Sequence, residues 1–149
     1  MVWIIFAAII WLFIIVFLRS LLGRFWSAGF WAILVGYFLN DIFIKNQFYL
    51  FEDLYYPFEG MPIGYLVALA GVGIIVVRFL PEEKVWQLPY LLLFSALFTV
   101  LEYFAVEQGF LLYLNWSLYY SFFYKLIAFI TITWLSSLTV KRRKGYFYR

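Results

Sequence analysis

Residues 85–106 read VWQLPYLLLFSALFTVLEYFAV, and the single charged side chain in this run is Glu102. A helix needs about 20 mostly apolar residues to cross the hydrocarbon core of a bilayer. Similar runs occupy residues 2–18, 25–44, 62–80 and 119–140. Because lipid offers no hydrogen bonds to an exposed backbone, each run is predicted to form a helix. The sequence therefore predicts an all-α integral membrane protein, one bundle of five transmembrane helices that forms a single domain over residues 1–149.

The composition excludes several classes of protein. The chain has 149 residues, of which 67% are hydrophobic, 26% aromatic and 13% charged. Soluble domains average about 45–50% apolar and about 25% charged residues. These values exclude a soluble globular domain, a disordered chain and a nucleic-acid-binding module, so no nucleic acid is expected as a partner. The chain has no histidine and no cysteine, which excludes Ser-His-Asp catalysis and the common zinc sites. No cofactor and no metal site are predicted.

The basic residues predict the orientation of the bundle, because Lys and Arg collect on the cytoplasmic side of membrane proteins. We expect the N-terminus outside and the C-terminus inside. The protein is expected to be a multi-pass protein of the cell membrane, which in a bacterium is the cytoplasmic membrane. The inner segments then hold nine of the 11 basic residues, Arg19, Arg24, Arg78, Lys84, Lys141, Arg142, Arg143, Lys144 and Arg149.

A cleaved signal peptide is the alternative interpretation of residues 2–18. The start of this run carries no basic residue, and no small-x-small cleavage site follows it. A basic start and such a cleavage site are both typical of signal peptides. The run is therefore expected to be retained as the first helix.

Glu102 and Lys125 are charged residues inside predicted spans, where a charge is costly and is a functional candidate by default. Their positions in consecutive helices place them at depths that agree within a few ångströms. We therefore expect them to pair or to share a hydrogen-bonded site. Polar residues at helical spacing lead to both charges, and they are Ser95, Thr99, Ser117 and Ser121. Asn40 and Asp41, near the outer end of the second span, are predicted to complete the cluster. Lys45 is the predicted local partner of Asp41.

Three interpretations of this pair remain open from the sequence. Lys125 and Glu102 can each extend to the headgroups without a partner. They can form a structural pair that fixes the register of two helices. They can also form a true site for a ligand, an ion or a proton.

The two predicted outer connections, residues 45–60 and 107–116, are rich in aromatic residues. Tyr and Trp favour the headgroup zone of a membrane. These segments either lie on the outer leaflet or form a lid over an outward-facing pocket. The basic tail is expected to contact anionic lipids of the inner leaflet, with a mere topology anchor as the alternative; its residues are Lys141, Arg142, Arg143 and Lys144.

Small residues at helical spacing in the second and third spans indicate close helix packing. They are Gly29, Ala32, Gly36, Gly64, Ala68 and Gly71. These faces are expected to pack internally or against another subunit, and the odd number of spans leaves a homo-oligomer or a membrane partner protein possible.

The chain combines four sequence features in order. They are an Asn near the end of an early helix, an aromatic-acidic loop, a Glu-Tyr pair that ends a later helix, and a Gly…Asn-Trp…Ser run that opens the last helix. They are Asn40, the stretch from Phe51 and Glu52 to Pro57, Glu102 with Tyr103, Gly109, Asn115 with Trp116, and Ser121. In this layout the chain resembles a family of small four- to five-span membrane proteins of endospore-forming bacteria. That family has no established activity, so the resemblance implies architecture and no mechanism. It adds interest to Glu102, Asn115 and Trp116.

The function predicted from these residues is a non-enzymatic membrane role. A polar site in the outer half of the bundle would bind a small ligand, an ion or a partner helix, with Tyr and Trp side chains closing it from above. Its predicted residues are Glu102, Lys125, Asn40, Asp41, Ser121, Asn115 and Trp116. A small transporter or channel subunit, and a cofactor-free enzyme acting on a lipid or isoprenoid, are the alternatives.

Overall fold

The computed structural model describes residues 2–51 and 60–140. The predicted lipid contacts of residues 141–144 therefore lie outside the described residues, as does most of the aromatic-acidic loop. The described elements, in chain order, are α1 (Val2–Phe17), a 3-10 turn (Arg19–Leu21), α2 (Leu22–Lys45), β1 (Tyr49–Phe51), α3 (Ile63–Arg78), α4 (Lys84–Glu107), β2 (Leu111–Tyr113) and α5 (Leu118–Thr139). The prediction of five helices is confirmed, and the helix bounds fall within a few residues of the predicted runs.

The two short strands were not predicted, and each begins just after a helix that ends in the same way. After α2, Gln47 adopts a left-handed backbone conformation (φ 57°), and after α4 Gly109 does the same (φ 73°). The next amide in each case turns back to the last helical turn, from Phe48 to the Phe43 carbonyl at 3.0 Å and from Phe110 to the Ala105 carbonyl at 2.8 Å. This is the Schellman termination of a helix. This termination reverses the direction of the segments that follow α2 and α4 and brings them toward each other.

The strands pair antiparallel, with Tyr49 opposite Tyr113 and Phe51 opposite Leu111. The Phe48 carbonyl extends the pairing by accepting from the amides of Leu114 and Asn115, at 2.9 and 3.1 Å. The described parts of the two predicted outer connections therefore pair with each other. We call this end of the bundle the sheet end.

The helix α3 is the centre of the bundle and packs against α1 and α2. Close approach requires small residues there. A Cβ atom on Gly64 would lie 2.7 Å from the backbone of Trp3 and Ile4, and one on Gly73 would lie 2.7 Å from the Ala28 carbonyl oxygen. The predicted internal packing of the small-residue faces is confirmed. On the other side, α5 packs against α2, α3 and α4.

Three helical segments are long and apolar enough to cross a membrane by length and composition: residues 19–45, 84–107 and 118–139. The other two, α1 and α3, have 16 residues each, or about 24 Å of helix against about 30 Å of hydrocarbon. The described chain is thus a mainly helical bundle with a two-stranded sheet at one end, and three of its helical segments are long and apolar enough to cross a membrane.

Candidate ligand-binding site

A cavity of about 300 Å³ lies at the sheet end, and every helix and both strands contribute to its wall. Its wall is mostly apolar. For comparison, an engineered cavity of about 150 Å³ in another protein binds benzene. The polar side chains that line it are Asn40, Tyr49, Tyr65, Glu102, Gln108, Ser121, Tyr124 and Lys125. The cavity is therefore an apolar space with a group of polar residues in its wall.

The structure brings Glu102 and Lys125 together as an ion pair in this wall. The Glu102 carboxylate also accepts hydrogen bonds from the Ser121 hydroxyl, at 2.5 Å, and from the Tyr113 hydroxyl. The Lys125 ammonium donates to the Ser121 oxygen at 2.9 Å. The two charged side chains are only 14% and 13% exposed. A buried pair in which further hydrogen bonds satisfy the carboxylate offsets much of the cost of desolvation.

Asn40 is the second polar centre, and its side chain is fully satisfied. Its amide nitrogen donates to the Gly36 carbonyl at 2.5 Å and to the Tyr124 hydroxyl at 2.9 Å. Its amide oxygen accepts from the hydroxyls of Tyr49 and Tyr65. An asparagine side chain offers two donors and two acceptor positions, so all four are used. At 1% exposure, Asn40 joins β1, α3 and α5 at one point and has no capacity left to bind a ligand.

The strands are tied to these two centres by one tyrosine each. Tyr49 in β1 donates to Asn40, and Tyr113 in β2 donates to Glu102. Burial raises the pKa of both phenols well above the usual range, and the neighbouring Glu102 carboxylate adds to the rise at Tyr113. Both hydroxyls therefore keep their protons and act as donors at ordinary pH. The sheet is fixed to the cavity wall through these two bonds.

An aromatic cluster lies against the outer side of β1. The Trp116 ring stacks on Phe48 with centroids 5.3 Å apart, and it contacts Phe43 and Tyr49 at 4.8 and 5.8 Å. Trp116 therefore supports the cavity through Tyr49 and is not itself among the residues lining it. Asn115 contributes its backbone amide to the strand extension. Of the described Tyr and Trp residues, Trp3, Tyr49, Tyr65 and Tyr124 line the cavity.

Asp41 lies away from the polar centres that the sequence assigned to it. It pairs with Lys45 at 2.9 Å, as predicted from their spacing, and it is not among the residues that line the cavity. The reason is geometric, since successive residues of a helix point about 100° apart. Asn40 faces the interior of the bundle, and its neighbour cannot share that face. Asp41 is therefore not part of the cavity wall, contrary to the prediction.

The residues that sequence reasoning missed are the tyrosines. Tyr49, Tyr65, Tyr113 and Tyr124 bring four hydroxyls to Asn40 and Glu102. Their number gave no signal, because 13 tyrosines are spread along the chain. Within residues 2–51 and 60–140, no group of three or more carboxylates is placed to hold a metal ion.

No family model matches the sequence, and neither a curated protein nor a solved structure matches it. The geometry of the site is consequently the basis on which a function can be argued.

Proposed function

We propose that the chain spans the membrane five times, with the sheet end outside, and that it binds a small ligand in the cavity. The exposed surface of α1 supports the membrane assignment of this shorter helix. Ile9 and Leu12 are 62% and 63% exposed, and such a surface is stable when lipid covers it. The orientation follows from Arg24, Arg78 and Lys84, which lie at the end opposite the sheet, because basic residues favour the cytoplasmic side.

The single observation that carries the ligand proposal is the cavity with the Glu102–Lys125 pair in its wall. A concave, mostly apolar space of this size can bury most of the surface of a small apolar molecule. Such burial favours binding. The pair is a charged group at one wall of an otherwise apolar space, an arrangement that orients a ligand.

Binding is favoured over catalysis by the state of the carboxylate. Tyr113, Ser121 and Lys125 all donate to Glu102. A general acid or base must face the proton that it transfers, whereas three of the about four acceptor positions of this carboxylate serve contacts within the protein. The site therefore suits recognition of a molecule that stays unchanged.

Transport would require a polar path to the opposite end of the bundle. That end has a separate hydrogen-bonded group, in which Thr139 joins Ser27 and Trp31 at 3.2 Å each. On α2, the buried apolar residue Ala28 separates Ser27 of this group from Ala32 in the cavity wall. The transporter alternative gains no support from this arrangement.

The test is native mass spectrometry of the protein extracted gently from its own membrane. We expect the wild-type protein to carry a discrete extra mass. Lys125→Met should reduce its occupancy by about tenfold, as expected for loss of one charged contact worth about 1.4 kcal/mol. The matched control is Lys45→Met, which removes the same side chain from a pair that does not line the cavity, and it should keep the mass. A bare wild-type protein, or a mass retained in Lys125→Met, would contradict the proposal.

A further inference from the structure

The helices form an arc with α1 and α4 at its two ends. Along this arc α1 packs on α3, α3 on α2, both α2 and α3 on α5, and α5 on α4. The described residues make no comparable interface between α1 and α4. Both of these helices nevertheless line the cavity, α1 through Trp3 and Phe6 and α4 through Leu101 and Phe104. The cavity therefore borders the gap between the two helices.

The two ends of α4 differ in their described surroundings. At the opposite end, the Tyr90 hydroxyl on α4 donates to the Val76 carbonyl on α3 at 3.0 Å, which holds α4 against the bundle. At the sheet end, Leu101 and Phe104 line the cavity and are 43% and 57% exposed. The cavity is partly open, and these two side chains form an exposed apolar part of its α4 wall.

The ion pair retains a specific hydrogen-bonding capacity. An ammonium group has three N–H donors, and among the described residues Lys125 uses two of them, toward Glu102 and Ser121. The carboxylate oxygen Oε2 of Glu102 accepts from Lys125 alone among these residues. With respect to the described residues, one donor and one acceptor position therefore remain on the pair. A hydroxyl group matches them, since it donates one hydrogen bond and accepts others.

The pair also sets the charge of the ligand. Glu102 and Lys125 together carry no net charge, so neither an anionic nor a cationic headgroup gains net attraction from them. A further charge in this mostly apolar space would remain uncompensated, which is costly. An uncharged polar head is the class that fits.

We infer that the ligand is a single-chain amphiphile with an uncharged, hydroxyl-bearing head, and that it enters from the outer leaflet between α1 and α4. This inference rests on the proposed function. The hydroxyl binds at Glu102 and Lys125, and the chain lies along the apolar wall toward Leu101 and Phe104. Scaled from the benzene-sized cavity, the volume takes a chain of about ten carbons.

The experiment uses a photoreactive analogue of 1-decanol with a diazirine in its tail, added to the full chain in phosphatidylcholine nanodiscs. Peptide mapping locates the attached probe. We expect attachment at cavity-lining positions of α1 and α4, with competition by 1-decanol and much weaker competition by decylamine or decanoate. Attachment confined to residues that do not line the cavity would overturn the inference. Equal competition by the charged compounds would overturn the uncharged head.

The lateral route is tested by closing the gap after the protein has folded. Because the chain has no cysteine, Leu101→Cys provides one thiol that a bulky alkyl methanethiosulfonate can modify. The matched control is Leu97→Cys, which lies one turn away on α4, is 51% exposed in the wild type and does not line the cavity. Modification at 101 should reduce labelling of the cavity several-fold, and should slow release of a probe loaded beforehand. Modification at 97 should change neither.

The outcomes separate this inference from the proposed function. If the cavity binds nothing, native mass spectrometry finds a bare protein. If the cavity binds a ligand of another class or by another route, the extra mass persists. Modification at 101 then has no effect on labelling, or the charged compounds compete as well as 1-decanol.

Discussion

Replacement of Lys125 by methionine removes the ammonium group from the ion pair and keeps an unbranched side chain that is one atom shorter. The Glu102 carboxylate then remains in the cavity wall with only the hydroxyls of Ser121 and Tyr113 as partners. Breaking a buried pair from one side costs about 3–5 kcal/mol. Because the two side chains are 13% and 14% exposed, some water can reach the remaining charge. We therefore expect the free energy of unfolding to fall by about 3 kcal/mol.

A double-mutant cycle isolates the interaction between the two charges. Glu102→Gln leaves the ammonium unpaired and should cost a similar amount. The double variant leaves no isolated charge, so its cost should be about 2 kcal/mol less than the sum of the two single costs. The assay is reversible unfolding of the full chain in mixed micelles, driven by sodium dodecyl sulfate and followed by far-UV circular dichroism.

Two results would refute the reasoning behind this cycle. If each single substitution changes the free energy of unfolding by less than about 0.5 kcal/mol, the pair is solvated and is not buried as a unit. If both costs are large but simply add, each side chain acts alone, and the contact between Glu102 and Lys125 has no energetic content.

Three further predictions use the same assay. Gly64→Ala should destabilise the protein by about 1–3 kcal/mol, because the added Cβ would meet the backbone of α1. The control Gly23→Ala has open space around the added Cβ and should be neutral or stabilising. Equal costs of the two substitutions would refute the close packing of α1 and α3. Tyr113→Phe should lower the free energy of unfolding by about 1–2 kcal/mol. This loss relative to the wild type should hold up to about pH 10 and shrink above it, because the raised pKa of Tyr113 makes the folded wild type retain a proton that the unfolded chain loses. A loss that shrinks near neutral pH would contradict a protonated donor at Tyr113. Lys45→Met should change stability by less than about 0.5 kcal/mol, since its pair with Asp41 is exposed at the lysine; a loss above about 1 kcal/mol would show that this pair carries structure.

The helices could be predicted from the sequence because each long apolar run has one stable conformation in lipid. The contact between Glu102 and Lys125 could also be predicted, since both residues lie at a similar distance from the connection that joins their helices. Depth along a helix follows from counting residues, and two charges at one depth in neighbouring helices favour a pair.

The strands and the tyrosine contacts could not be predicted in this way. Strands of three residues are too short for an alternating pattern to stand out, and their pairing joins segments that are far apart in the chain. The contacts of Asn40 with Tyr65 and Tyr124 depend on which helices are neighbours. Composition and residue spacing do not determine which helices are neighbours in the bundle. Asp41 shows the same limit, because depth alone does not state which face of the helix points inward.

The most direct test of the ligand site is a cryo-EM or crystallographic map of the protein purified in native lipid, without detergents that exchange bound molecules. We predict density for an elongated small molecule in the cavity, with its polar end about 3 Å from the Lys125 ammonium or the Glu102 carboxylate. A map in which Phe98 and Phe104 fill the same space, with the ion pair in place and no room for a ligand, would contradict the site.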